Sequence, residues 1–300
     1  MYTIYNSGGI IVRKVSKKAY AKVNLVLDVL RKREDGYHDV KMVMQNLNIY
    51  DELTFTADET ATERRIVLTT NREDIPTDGR NLIYKAVELM FDTYGIDGDI
   101  SIHLTKNIPV EAGMAGGSTD CAATLWAVNE LFELGLDCKT LMELGVRLGA
   151  DVPYCVLGKT ALSEGIGEIL TPVKGLSDCY VLVVKPPINV STKMVYTNLR
   201  ANELKHHPNV DGMVQALEEE NLTMVAQYME NVLETVTVNL YPEIEEIKCI
   251  MKEQGAINSI MSGSGPTVFG IFLDEEKAKG AAEYIRSRDL SKEIYVTTPV

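Results

Sequence analysis

Pro109-Val110-Glu111-Ala112-Gly113-Met114-Ala115-Gly116-Gly117-Ser118-Thr119-Asp120 is the stretch on which the reading of this chain turns. It follows a segment with strand spacing, Ile100 to Leu104, and precedes an apolar run, Cys121 to Phe132, that is predicted to be a buried central helix. Glycines let a backbone approach an anion closely, and a helix start presents unpaired N–H groups backed by the helix dipole. Ser118 and Thr119 add hydroxyl donors, so the stretch suits the phosphates of a nucleotide. It contains neither the G-x-x-x-x-G-K-[ST] run nor the dinucleotide G-x-G-x-x-G pattern. The plain alternative is a tight strand-to-helix connection capped by Ser118, although Gly113, Gly116, Gly117, Ser118 and Thr119 are together more than a turn needs. Asp120 is ambiguous. A carboxylate in a first helical turn stabilises the helix, yet it repels phosphate unless it faces away or meets a metal.

Upstream, Ala19 to Thr56 runs in short apolar or alternating blocks (Ala21 to Leu27, Met42 to Met44, Leu53 to Phe55) around a turn at Glu34-Asp35-Gly36, which predicts strands joined by hairpins. Asn81 to Tyr94 has helical spacing with Asn81 as its cap. Downstream, a helix over Lys139 to Leu148 follows Asp137 as cap and ends at Gly149, and the loop Ala150-Asp151-Val152-Pro153 comes next. Beyond residue 160 the pattern becomes a strand at Tyr180 to Val184, helical segments between Thr192 and Gln254, and a strand-loop-strand around Ser262-Gly263-Ser264-Gly265. A helix at Glu275 to Arg286 and a strand at Glu293 to Thr297 complete it. The class is α+β in two domains, 1–160 and 161–300.

The chain has 300 residues, 45% apolar and 24% charged, enough for a large core. A formal charge of −13 without a dense Lys/Arg stripe argues against a nucleic-acid partner. Apolar runs such as Cys121 to Val128 are too short to span a bilayer, and Met1 to Ile11 lacks the features of a secretion signal. A cytoplasmic location is the expectation. Five widely spaced cysteines, Cys121, Cys138, Cys155, Cys179 and Cys249, suit neither zinc nor a disulfide framework and are expected to be reduced core residues. Taken from spacing alone, Asp151 is either a turn-forming residue or a catalytic carboxylate. Lys22, within the apolar strand Ala21 to Leu27, is either a snorkelling edge residue or an ammonium held for an anion. Tyr37 and His38 follow a turn and read as surface hairpin residues, and His103, His206 and His207 acquire no role.

The glycine-rich loop resembles the phosphate loop of the galactokinase, homoserine kinase, mevalonate kinase and phosphomevalonate kinase superfamily. Within it, Ala19-Tyr20-Ala21-Lys22-Val23-Asn24-Leu25, Asp35-Gly36-Tyr37-His38, Tyr50-Asp51-Glu52-Leu53 and Gly149-Ala150-Asp151-Val152-Pro153 are similar to motifs of the 4-diphosphocytidyl-2-C-methyl-D-erythritol kinases, in the same order. Met261 to Thr267 is similar to the superfamily's C-terminal glycine motif, and the Gly-Glu-His run of galactokinases and mevalonate kinases is missing near Lys22. The loop departs from the commonest pattern by Met114 for Leu, Ala115 for Gly and Thr119 for Ser.

The resemblance implies an N-terminal ribosomal-protein-S5-domain-2-like ATP-binding and catalytic domain and a C-terminal ferredoxin-like substrate-binding domain. It implies ATP with Mg2+ as donor, bound by Pro109, Val110, Glu111, Ala112, Gly113, Met114, Ala115, Gly116, Gly117, Ser118 and Thr119. The acceptor is expected to be the 2-hydroxyl of 4-diphosphocytidyl-2-C-methyl-D-erythritol, in the non-mevalonate route to isoprenoid precursors. Asp151 matches the catalytic aspartate, and Lys22 the lysine beside it. Asn24, Tyr37, His38, Thr192 and Tyr196 fall in the substrate site, with Tyr37 and Tyr196 stacking on cytosine and His38 bonding its edge. A same-fold kinase for homoserine, a sugar or another small alcohol stays open, as does a non-catalytic nucleotide-binding module. The sequence does not address oligomeric state or the magnesium ligands.

Overall fold

A two-residue reach of Asp35, whose Oδ1 accepts the Tyr37 amide at 3.0 Å, and a left-handed Gly36 (φ 89°) close the turn between the two longest strands of the protein. The computed structural model describes residues 2–5, 11–58, 61 and 63–300; residues 1 and 6–10, part of the stretch read for a secretion signal, lie outside them. The first strands are β1 (Tyr2–Tyr5), β2 (Ile11–Lys32), β3 (His38–Asp58) and β4 (Arg65–Thr70), and then come α1 (Leu82–Tyr94) and β5 (Asp99–Thr105). Helices α2 (Gly116–Leu131), α3 (Cys138–Val146) and α4 (Val152–Leu157) follow. The rest runs β6 (Ala161–Gly165), β7 (Ile169–Pro172), β8 (Tyr180–Lys185), α5 (Thr192–Asn198), α6 (Val210–Glu218), α7 (Leu222–Tyr228) and α8 (Glu234–Leu240). Last come α9 (Glu243–Glu253), β9 (Asn258–Met261), β10 (Val268–Phe272), α10 (Glu275–Ser287) and β11 (Glu293–Thr297).

The compact units are not contiguous in sequence. One comprises 1–20, 49–108 and 115–158; the other comprises 21–48, 109–114 and 159–300. A division near residue 160 falls beside the Gly158/Lys159 boundary, while 21–48 and 109–114 belong with the later residues because β2 and β3 are long enough to serve both units.

In the first unit the strands run in the order β1-β2-β3-β5-β4, with β5 antiparallel to β3 and parallel to β4. The sheet's apolar face meets α1 and α2 through Leu53, Phe55, Ile100, Ile102, Ile83, Met90 and Phe91, all buried. Helix α1 begins where Asn81 Oδ1 accepts the Ile83 amide at 2.9 Å and stops at left-handed Gly95, φ 62°. Helix α2 is buried on most sides, packed on α1, α3 and α4.

In the second unit β6 pairs with β3 and β7 with β6, while a separate antiparallel sheet of the described residues has the order β11-β8-β10-β9. Val181 to Val184 and Val268 to Phe272 are buried on both faces, and α9 and α10 pack on that sheet, which accounts for unbroken apolar runs rather than alternation.

Three expectations need correction. The blocks at 42–44 and 53–55 belong to the single strand β3, in which the intervening Gln45, Asn46 and Asp51 are buried, and Gln45 is paired: it donates to the carbonyls of Asn46 and Val300 and accepts from Thr160 Oγ1 and the Leu176 amide. Helix α2 starts at Gly116, not Cys121. Of the cysteines, Cys121 and Cys179 are buried, Cys138 and Cys155 are half-buried, and Cys249 is exposed on α9.

Candidate functional site

The glycine-rich loop reaches α2 through three left-handed residues at alternate positions, Glu111 (φ 53°), Gly113 (φ 69°) and Ala115 (φ 57°). Ala115 is the N-cap, without a side-chain cap bond, so Ser118 sits inside the helix and does not cap it. The first intrahelical bond joins the Thr119 amide to the Ala115 carbonyl at 2.9 Å, and the amides of Gly116, Gly117 and Ser118 precede it, which leaves them to an outside acceptor. Helix α2 is 16 residues long, so its dipole adds to that field.

In the second unit, Gly113 is fixed by the C-terminal glycine motif. Ser262 Oγ donates to the Gly113 carbonyl at 3.1 Å, and a Cβ on Gly113 would stand 2.7 Å from the Ser262 carbonyl oxygen and 3.0 Å from that of Gly265. The amide of Lys22 donates to the Met114 carbonyl at 3.2 Å, and its ammonium donates to Asn24 Oδ1 at 2.8 Å. Lys22 is 5% exposed and Asn24 fully buried, so the snorkelling alternative for Lys22 does not hold. Asn24 Nδ2 is directed at the Met42 sulfur, 3.1 Å away. Thr192, the first residue of α5, shares a hydrogen bond of 2.8 Å with Ser264. Lys22, Asn24, Gly113, Met114 and Thr192 are thereby brought to one place around Met261 to Thr267.

The same unit brings His38 and Tyr196 together, their rings 5.1 Å apart and tilted by 46°, with Tyr37 beside them and exposed. His38 is buried, contrary to a surface hairpin reading, and its Nε2 has no partner. Burial, aided by the charge of Lys32, lowers its basicity, so the ring is a neutral imidazole near pH 7.

Asp151 belongs to the first unit as the N-cap of α4, a helix where the sequence predicts a loop, and its carboxylate makes no cap bond to that helix. Below α2, Lys106 bridges Asp51 and Asp120 at 2.6 Å each. Asp120 therefore faces inward, away from the loop amides. The sequence assigns Lys106 and Asp51 no role: Lys106 is a lone lysine after β5, and Asp51 stands in the motif Tyr50-Asp51-Glu52-Leu53 without a function attached to it. Asn231 was also missed. Its Nδ2 donates to the carbonyls of Met261 and Gly263, both at 2.8 Å, and its Oδ1 accepts the Leu233 amide.

An amide-lined glycine loop feeding a buried helix, with a lysine bonded to that loop, defines on this scaffold a small-molecule kinase of the GHMP class. The family descriptions agree: "GHMP kinases N terminal domain" matches residues 81–159 and "GHMP kinases C terminal" matches 213–290. The chain is similar to the 4-diphosphocytidyl-2-C-methyl-D-erythritol kinase of Lachnoclostridium phytofermentans, 50% identical over 94% of this chain and 96% of the relative. It is 48% identical to that of Lachnospira eligens over 95% and 98%. A crystal structure of 4-(cytidine 5'-diphospho)-2C-methyl-D-erythritol kinase superposes with a TM-score of 0.79 at 32% identity, covering 95% of this chain and 99% of that one. A homoserine kinase from Cytophaga hutchinsonii, at TM-score 0.77 and 21% identity over 95% of both chains, shares the fold. The chain belongs to the 4-diphosphocytidyl-2-C-methyl-D-erythritol kinase family and is an ATP-dependent phosphotransferase.

Proposed function

We propose that the chain transfers the terminal phosphoryl group of ATP to the 2-hydroxyl of 4-diphosphocytidyl-2-C-methyl-D-erythritol. The observation that carries the reading is Lys22, a buried ammonium whose own backbone is bonded to the glycine loop at Met114. The loop suits ATP on physical grounds: the amides of Gly116, Gly117 and Ser118 open a helix N-terminus for phosphate oxygens. Pro109 to Thr119 hold the nucleotide in this reading. Magnesium enters with the substrate as Mg·ATP; among the described residues no group of three or more His, Cys, Asp or Glu side chains is arranged to hold a resident ion.

Phosphoryl transfer needs in-line placement and charge neutralisation more than covalent chemistry. The acceptor oxygen attacks the γ-phosphorus, the bond from that phosphorus to the β,γ-bridging oxygen breaks, and ADP leaves with the bridging electrons. The hydroxyl proton passes to the Asp151 carboxylate, while the Lys22 ammonium offsets charge on the acceptor oxygen and the transferring group. Asn24 orients Lys22. Tyr37 and Tyr196 stack on the cytosine, and the unpartnered Nε2 of neutral His38 bonds its edge. Thr192 contacts the acceptor near Ser264. ATP loading and catalysis fall to 1–160, and 161–300 adds Thr192 and Tyr196 to the acceptor contacts of Tyr37 and His38, in the cytoplasm where the donor is made.

A panel of hydroxylated acceptors tests this, with ADP release and product mass as readouts. Phosphorylation confined to the cytidine diphosphate methylerythritol is expected; equal turnover of homoserine or a sugar would overturn the acceptor assignment.

A further inference from the structure

Three charged side chains of the first unit lie buried beneath the start of α2. The Lys106 ammonium donates to Asp51 Oδ2 and Asp120 Oδ2, each at 2.6 Å, and none of the three side chains is more than 5% exposed. The other oxygen of Asp51 is fully used, accepting the amides of Asn107 at 2.6 Å and Ile108 at 2.8 Å. The other oxygen of Asp120 is buried without a partner. A Cβ on Gly116 would stand 3.0 Å from the Lys106 nitrogen, so the cluster directly underlies the first residue of the helix.

Two carboxylates around one ammonium leave a net negative charge, placed under amides that are to receive phosphates. That charge opposes anion binding, and an ionised carboxylate with an idle buried oxygen is itself costly. One added proton removes the net charge, and with it the larger cost of burying an ionised oxygen. The idle oxygen of Asp120 has room for that proton. Burial pushes the Asp120 carboxyl up to about 8 in the same sense, against the pull of Lys106 and with Asp51 adding to the rise. The charged groups acting on it are Lys106 after β5 and Asp51 on β3; the neighbouring Cys121 thiol, raised to about 12 by burial and then by Asp120, stays neutral.

We propose that Asp51, Lys106 and Asp120 are positioning residues that form a neutral base beneath the phosphate loop, with Asp120 holding a proton whenever nucleotide is bound. The proposal rests on the loop being the nucleotide site. Linkage then requires that nucleotide and proton favour each other: binding takes up a proton where Asp120 is otherwise ionised.

The test is calorimetry of ADP binding to the full-length wild-type chain at pH 8.5, in buffers of differing ionisation enthalpy, beside Asp120→Asn, which keeps the shape and removes the titration. The terminal phosphate of ADP is already ionised at this pH. Wild type is expected to take up roughly half a proton or more, and to bind ADP up to about thirtyfold more weakly at pH 9.5 than at pH 7. Asp120→Asn is expected to take up none and to bind alike at both. Binding without proton uptake in wild type, or equal pH dependence in the two proteins, would overturn the proposal while leaving the site reading intact. Absence of ADP binding to wild type at any pH would overturn both. Should Asp120→Asn fail to fold, the wild-type uptake alone decides.

Discussion

Ala115 holds a φ of 57° at the head of α2, a conformation that costs an L-residue about 1 kcal/mol or more and costs glycine nothing. Ala115→Gly is expected to raise Tm by roughly 2 °C or leave it unchanged, and Ala115→Val to lower it, as read by differential scanning calorimetry. Gly113 is the opposite case. Its φ of 69° and the two carbonyl oxygens within 3.0 Å of a would-be Cβ leave no relaxed place for a methyl group. Gly113→Ala is expected to cost about 2 kcal/mol or more and to raise KM for ATP at least roughly tenfold, since the displaced backbone is the one read as meeting the phosphates. Lys22 is buried beside Asn24, so Lys22→Met is a cleaner probe than alanine: it fills the space and removes the charge. Its kcat is expected to fall about a thousandfold with Tm shifted by only a few degrees.

Element by element, the chain was legible where a local signal and a tertiary need coincided. Asn81 and Gly95 mark both ends of α1, Asp137 accepts the Thr140 amide at the start of α3, and Asp274 that of Lys277 at the start of α10. The glycine loop could be read because five small residues exceeded what a turn requires. The start of α2 could not, since glycines are poor helix formers and only their setting makes them helical. Likewise β3 was read in pieces, for Gln45 pairs with Val300 and Leu176, partners more than 100 residues away. Lys106, Asp51 and Asn231 escaped because their meaning lies in partners that sequence spacing does not bring together. Asn231 ties the turn after β9 to β2, whose Leu27 it flanks by backbone bonds from Glu230 and Val232. Asn231→Asp sets a carboxylate against two carbonyls and is expected to lose about 3 kcal/mol by chemical denaturation. The cluster under α2 has its own stability signature. Because Asp120 is raised to about 8 in the fold, the folded chain keeps a proton that the unfolded chain releases, and stability falls as pH rises from the ordinary carboxylate range to about 8. The Tm of wild type relative to Asp120→Asn is expected to drop across that window and to level off above it.

At the scale of the whole molecule, residues from three separate parts of the sequence, Lys22 and Asn24, Gly113 and Met114, and Met261 to Thr267, converge within one unit. Relatives near 50% identity over almost the full chain carry the acceptor's name, and His38 with Tyr196 forms the aromatic corner that the base reading needs. Cytidine diphosphate is therefore expected to raise KM for the acceptor without lowering kcat, measured at saturating Mg·ATP. The central claim is transfer of phosphate to the acceptor by Lys22 and Asp151, and phosphorus NMR of wild type, Lys22→Met and Asp151→Asn with Mg·ATP and 4-diphosphocytidyl-2-C-methyl-D-erythritol tests it most directly. A new phosphomonoester signal growing with ADP in wild type, and slowed about a thousandfold in both variants, is the expected result. No phosphomonoester from wild type, or an undiminished signal from Asp151→Asn, would contradict it.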